Sequence, residues 1–204
     1  MKAVQFKVTI PKYAFGLAVG KIYPPLLWSG FSCTSMQTIP QPTLINEEWV
    51  RIKTRYGGIC GSDLGAIYLT SSPYYTPFIS DPATLGHEND GYIDEVGSAV
   101  SGWQKGDRVV VEPFLWCGPR GFASDEMCEF CARGEINLCE HTTMGTIAPG
   151  VQMGVCRDTG GSWSAEFLAH QTQLYKVPDN VSDENAMMAE PFAIVLHAAL
   201  IDFP

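Results

Sequence analysis

The chain has 204 residues and a net charge of −9, from 13 Lys and Arg against 22 Asp and Glu. No basic run interrupts that balance, which excludes nucleic acid as a partner. Hydrophobic content of 46% is enough for a packed core, yet no apolar stretch approaches the ~20 residues that span a bilayer.

Charged residues make up only 17% of the chain, which predicts surface buried against a partner. Lysines at 7, 12 and 21 surround the apolar octet 13–20 and no small-residue cleavage site follows, so no signal peptide is expected. Seven cysteines, an odd number and tightly clustered, disfavour a disulfide framework. They point to metal ligation in a reducing compartment, the cytoplasm.

Residues 11–46 read as an irregular stretch rich in Pro and aromatics, with Pro24, Pro25, Trp28, Phe31, Pro40 and Pro42. A packed surface loop is the expectation, and a wall or lid over a metal cleft the alternative. Period-2 alternation then predicts strands at 49–54, 91–96 and 107–112, separated by Gly and Asp turns. Runs at 166–170 and 174–177 read as a last pair. Ser182 is a credible N-cap, with Asp183 and Glu184 in the first turn of a helix running to Leu200. Pro191 should kink or restart it. The helix is apolar nearly all round and should be buried on several sides. The expected division is a mainly β domain over 1–178 and a connecting helix over 179–204.

Cys117, Cys128, Cys131 and Cys139 form a cluster in which Cys128-Glu129-Phe130-Cys131 is a two-thiolate knuckle. Four thiolates close a tetrahedron around zinc and leave no open position, which makes a structural site. Cys33 and Cys156 have no evident partners and read as small buried side chains.

Cys60 lies in Gly57-Gly58-Ile59-Cys60-Gly61-Ser62-Asp63, and His87 in Gly86-His87-Glu88. A thiolate and an imidazole, each in a glycine-defined bend, suit Zn²⁺ with a position left for substrate. Glu88 and Glu190 are both candidates for a third ligand. Glu190 is a carboxylate in an otherwise apolar helix and needs a partner there.

These residues resemble the zinc-dependent medium-chain alcohol and polyol dehydrogenases. The run Gly86-His87-Glu88-x-x-Gly91-x5-Gly97-x2-Val100 is similar to that family's zinc signature. Gly57 to Asp63, Gly106-Asp107-Arg108-Val109, the cysteine cluster and Glu190-Pro191 follow the family's order over residues 45–204. The resemblance implies a GroES-like β-barrel catalytic domain with a structural-zinc loop at 117–139. It also implies a C-terminal helix leading to a nicotinamide-binding Rossmann domain beyond Pro204. Cys60, His87 and Glu190 correspond to the catalytic-zinc ligands, with glutamate at 190 as in the polyol and threonine dehydrogenase-like branch. Glu88 corresponds to the adjacent carboxylate that can approach the metal. Asp63 corresponds to the group that orients His87, and Ser62 to the hydroxyl that takes the alcohol's proton.

Three features depart from the family pattern. Leu64-Gly65 stand where many relatives place a proton-relaying His. The gap between Cys117 and Cys128 is long. No G-x-G-x-x-G occurs, the nearest stretch, 145–154, having the wrong spacing. NAD or NADP is therefore expected only with the missing domain, and the 204-residue chain alone should be inactive.

The expected function is oxidation of a secondary alcohol, polyol or amino alcohol by hydride transfer. A zinc-stabilised non-catalytic binding or assembly module is the alternative, and a zinc hydrolase or lyase ranks below it for want of a separate general base. The expected partners are a small-molecule alcohol, the missing Rossmann domain or a partner chain, and a second copy of this chain, which the 186–201 helix would join into a homo-oligomer.

Overall fold

The computed structural model describes residues 1–202; Phe203 and Pro204, the end of the expected connecting segment, lie outside the described residues. In chain order the first half contains β1 (Lys2–Phe6), α1 (Ile10–Val19), a 3-10 turn at Pro24–Trp28, β2 (Thr34–Thr38), β3 (Trp49–Gly57), α2 (Gly61–Ile67) and β4 (Ala83–Thr84). The second half contains β5 (Asn89–Val96), β6 (Arg108–Val111), α3 (Glu129–Ala132), β7 (Glu166–His170), β8 (Leu174–Lys176), α4 (Asp183–Met187) and α5 (Ala189–Asp202).

Two antiparallel sheets organise the molecule, one of three strands in the order β2-β1-β4 and one of five in the order β7-β3-β5-β6-β8. The expected barrel is open. No continuous ladder joins the sheets among the described residues, and an isolated Ala3–Ser164 bridge links the first sheet to the residue two before β7.

The large sheet's inner face carries Val50, Ile52, Ile93, Val109, Val111 and Phe167 into one core, closed by Met153 and Leu174. Val109 and Val111 point in and their neighbours out, the alternation a half-buried strand requires. β7 is buried along its whole length because Leu168 packs on the other face, against Trp49, Leu115 and Ile147.

The runs expected to form a last pair do not pair. β7 hydrogen-bonds β3 and β8 hydrogen-bonds β6, at opposite edges of the sheet. A 3-10 turn at Gln171–Gln173 separates them. Alternation identifies a strand but not its neighbour.

Residues 11–46 are more regular than expected. α1 starts with a proline in its first turn, and β2 pairs with β1 along five residues. The excursion packs through Leu27 and Cys33 onto Leu69, just past α2, and Trp28 meets Tyr68 edge-on at 5.3 Å.

Ser182 caps α4 by accepting the Asn185 amide, as its sequence position predicts. The helix breaks at Met188 and restarts as α5, with Pro191 in the new first turn. The burial expected for this helix is not found. Phe192 is 68% exposed and Leu200 71%, because no other element of the described residues covers them.

Candidate metal centres

β3 runs out at Gly57 and the chain bends through Gly58 and Ile59 to Cys60, the N-cap of α2. Asp63 lies in the first turn of α2 and accepts the Cys60 amide at 3.1 Å through Oδ2. Its Oδ1 stands 3.7 Å from His87 Nδ1. His87 sits between β4 and β5, directly after Gly86, whose φ of +95° is the left-handed region that only glycine enters freely. Asp63, His87 and Glu88 are all buried, Cys60 is half-buried and Ser62 is exposed at the start of α2. Burial pushes the Asp63 carboxyl up, and the His87 ring and the Cys60 and Gly86 amides oppose that rise.

Asn89 holds His87 from the other side. Its amide nitrogen donates to His87 O and to Val111 O, both at 2.9 Å, and its oxygen accepts the Val111 amide at 2.8 Å. His87 is thereby tied to β6. This buried amide was not singled out from the sequence, where Asn89 is an unassigned position between Glu88 and the strand expected at 91–96.

Glu190, at the start of α5, enters the electrostatic field of this group. Burial pushes its carboxyl up; His87 opposes, and Glu88, Glu112 and Asp63 add to the rise. Glu190 also lines a cavity of about 620 Å³ with Asn89, Glu112, Pro113, Ile194 and His197. Carboxylates at 63, 88, 112 and 190 and one imidazole that act on each other electrostatically are a donor set that would suit a divalent cation, which would offset the repulsion among them. The ligand atoms of Cys60, His87 and Glu190 are not drawn as close together as those of the cysteine cluster. Among the described residues that cluster alone brings three or more such atoms within 4.8 Å of one another.

The cluster consists of Cys117, Cys128, Cys131 and Cys139, all four buried. Cys117 Sγ and Cys139 Sγ are 3.7 Å apart, close to the ~3.8 Å edge of a tetrahedron with 2.3 Å zinc–sulfur bonds. Cys128 caps α3, and its thiol, facing the Cys131 amide, is lowered to about 7; burial opposes that shift and the Cys131 and Glu140 amides drive it. The four residues fit zinc. Two supporting side chains were not evident from the sequence. His141 places Nδ1 3.4 Å from Cys117 Sγ. Arg120, fully buried, donates to Leu115 O at 2.9 Å, Met144 O at 2.8 Å and Gly150 O at 2.5 Å, and so holds three stretches of the loop. Cys33 and Cys156 are buried singly, as expected.

Residues 46–179 match the alcohol dehydrogenase GroES-like domain. Sorbitol dehydrogenase of Bacillus subtilis (strain 168) is 37% identical over 164 residues, which cover 80% of this chain and 41% of that protein. The crystal structure of 2R,3R-butanediol dehydrogenase from Bacillus subtilis has a TM-score of 0.66 at 26% identity, over 97% of this chain and 46% of that one. A short chain alcohol dehydrogenase from Escherichia coli CFT073, complexed with cofactor NADH, has a TM-score of 0.65 at 26% identity, over 98% and 44%. The chain thus spans less than half the length of each of these relatives. With its two sheets, its buried thiol cluster and a match over 46–179, it belongs to the alcohol dehydrogenase GroES-like domain family, in the zinc-dependent medium-chain polyol dehydrogenase group.

Proposed function

We propose that this chain is the zinc-dependent catalytic domain of a dehydrogenase that oxidises a secondary alcohol, polyol or amino alcohol, with NAD⁺ or NADP⁺ as hydride acceptor on a joined Rossmann domain. The observation that carries this is the position of Asp63, which accepts the Cys60 amide at 3.1 Å and stands 3.7 Å from Nδ1 of His87. A non-catalytic module has no physical need for a buried carboxylate that faces an imidazole and holds the backbone of a half-buried cysteine. The relatives are polyol and alcohol dehydrogenases, which supports the same conclusion.

In this proposal Cys60, His87 and Glu190 hold the catalytic zinc, and the four-cysteine cluster holds the structural one. Zinc at the open site supplies Lewis acidity that makes an alcohol proton acidic near neutral pH. Asp63 engages Nδ1 of His87 and leaves Nε2 for the metal. Ser62, exposed at the mouth of α2, accepts the alcohol's proton and passes it to solvent. Glu88, buried and adjacent to His87, offers a second carboxylate. The domain boundaries proposed are 1–178 for the catalytic unit and 179–204 for the connection. No G-x-G-x-x-G lies within the 204 residues, so turnover is expected only with a nucleotide-binding domain joined to them.

The test is zinc per chain by elemental analysis, on wild type and on Cys60→Ser. About two zinc ions, falling to about one in the variant, is the expected result. A single zinc that Cys60→Ser leaves unchanged overturns the catalytic centre.

A further inference from the structure

The two bends that carry Cys60 and His87 are joined by a third segment that belongs to neither. Residues 160–163 cross both. The Ser162 amide donates to Gly86 O at 3.0 Å and its hydroxyl to Glu88 O at 2.7 Å. The Trp163 amide donates to Leu85 O at 3.0 Å, and its indole Nε1 donates to Gly58 O at 2.7 Å. Gly58 itself donates its amide to Glu88 O at 3.1 Å. The Glu88 carbonyl is therefore shared by Gly58 and Ser162, one residue beyond His87. Gly58 is held at both its amide and its carbonyl, two residues before Cys60.

The fit leaves no spare space. A Cβ on Gly86 would meet Trp163 Cδ1 and stand 2.5 Å from Ser162 Oγ. A Cβ on Gly57 would stand 2.9 Å from both Ser162 O and Oγ. Glycine at 57 and 86 is what lets this segment approach, and glycine is also what makes an unsupported bend floppy. A thiolate on a Gly57-Gly58 bend samples many positions unless something outside the bend holds it.

We infer that Ser162 and Trp163 are positioning residues that set the separation of Cys60 and His87 and so determine how tightly the open site holds its metal. The inference rests on the catalytic centre proposed above. Neither side chain is assigned as a ligand, since the Ser162 hydroxyl and the Trp163 indole both donate to backbone carbonyls. Both act through the Gly58 and Glu88 carbonyls, pre-ordering ligands that would otherwise lose chain entropy at the moment of binding. Tryptophan suits the role because its ring is rigid and its single polar atom is a donor.

The experiment uses the full 204-residue chain with its cysteine cluster preloaded with zinc, titrated with Co²⁺. The signal is the thiolate-to-cobalt charge-transfer absorption that disappears in Cys60→Ser. Trp163→Phe keeps an aromatic ring and removes the donor. It is expected to weaken Co²⁺ binding about tenfold and to leave the zinc content of the cysteine cluster unchanged. Ser162→Ala is expected to act in the same direction, and it decides alone if Trp163→Phe does not fold. Variants that lower the thermal midpoint yet titrate as wild type, while Cys60→Ser abolishes the signal, overturn the strap and leave the metal centre standing. A wild-type chain with no Cys60-dependent signal overturns both.

Discussion

Asp63 and His87 meet from different elements, with Oδ1 of the first 3.7 Å from Nδ1 of the second, while the other Asp63 oxygen holds the Cys60 amide at 3.1 Å. One buried carboxylate therefore contacts the imidazole and the backbone of the thiol at once. Neutralising it should loosen both.

For Asp63→Asn the expected outcome is roughly ten- to a hundredfold weaker metal binding at the Cys60-dependent site. The cysteine cluster should keep its zinc. Competitive titration with a chromophoric chelator reads the two sites separately, and equal affinity in the variant would remove Asp63 from its assigned role.

Arg120 is fully buried and hydrogen-bonded to three carbonyls that belong to separate parts of the 115–150 loop. Burial pushes its guanidinium down, and Cys156, Cys139 and Cys117 act against that shift. Thiolates in the cluster thus favour the buried cation, which couples the arginine to the metal site. Arg120→Met should cost about 3 kcal/mol, since it leaves buried acceptors without donors. Denaturant unfolding of the zinc-loaded chain measures it; a loss within ~0.5 kcal/mol would mean that water replaces the arginine.

Asp90 is fully buried on β5, and neither of its carboxylate oxygens finds a hydrogen-bond donor among the described residues. Burial raises its pKa to about 7, with Asp183 adding to the rise and Arg108 and Arg55 opposing it. The folded chain then binds a proton that the unfolded chain has already released above a pKa of about 4. Stability should fall as pH rises from about 4 to the folded value of about 7, and level off above it. Asp90→Asn removes the titration, so its gain over wild type should grow across that window and be greatest at alkaline pH. Thermal midpoints at several pH values test this, and a pH-independent difference would contradict it.

α5 presents Phe192, Val195, Leu196 and Leu200 to solvent, each more than half exposed. Burying such side chains is worth about 1.5–3 kcal/mol each, so the isolated chain should self-associate through this helix. Sedimentation velocity should show a concentration-dependent shift to larger species, abolished by Leu196→Asp. A monomer at every concentration would refute it.

The parts of the candidate site that were legible in the sequence are those whose chemistry is local. Cys60 and His87 stand in glycine bends, and the bends are visible as residue patterns. The Cys128–Cys131 knuckle needs one turn of chain, and its spacing announces it. Ser182 caps its helix for the same reason, through an amide three residues on. Trp163 is different. Its indole bonds a carbonyl 105 residues away, and nothing in Gly160-Gly161-Ser162-Trp163 marks it as more than a turn. Asn89 and Asp90 are neighbours of similar shape, yet the first is satisfied at both ends and the second at neither. Only the surroundings distinguish them.

Residue type and spacing thus determined the cysteine cluster, the strands of the larger sheet and the start of α4, because thiolate geometry, side-chain alternation and helix capping act within a few residues. Tertiary structure alone decided that β7 and β8 lie on opposite edges, that the barrel stays open, that α5 faces solvent and that residues 160–163 tie together the bends carrying Cys60 and His87. Those outcomes depend on which distant surfaces meet, and contacts between distant segments leave no periodicity in the chain.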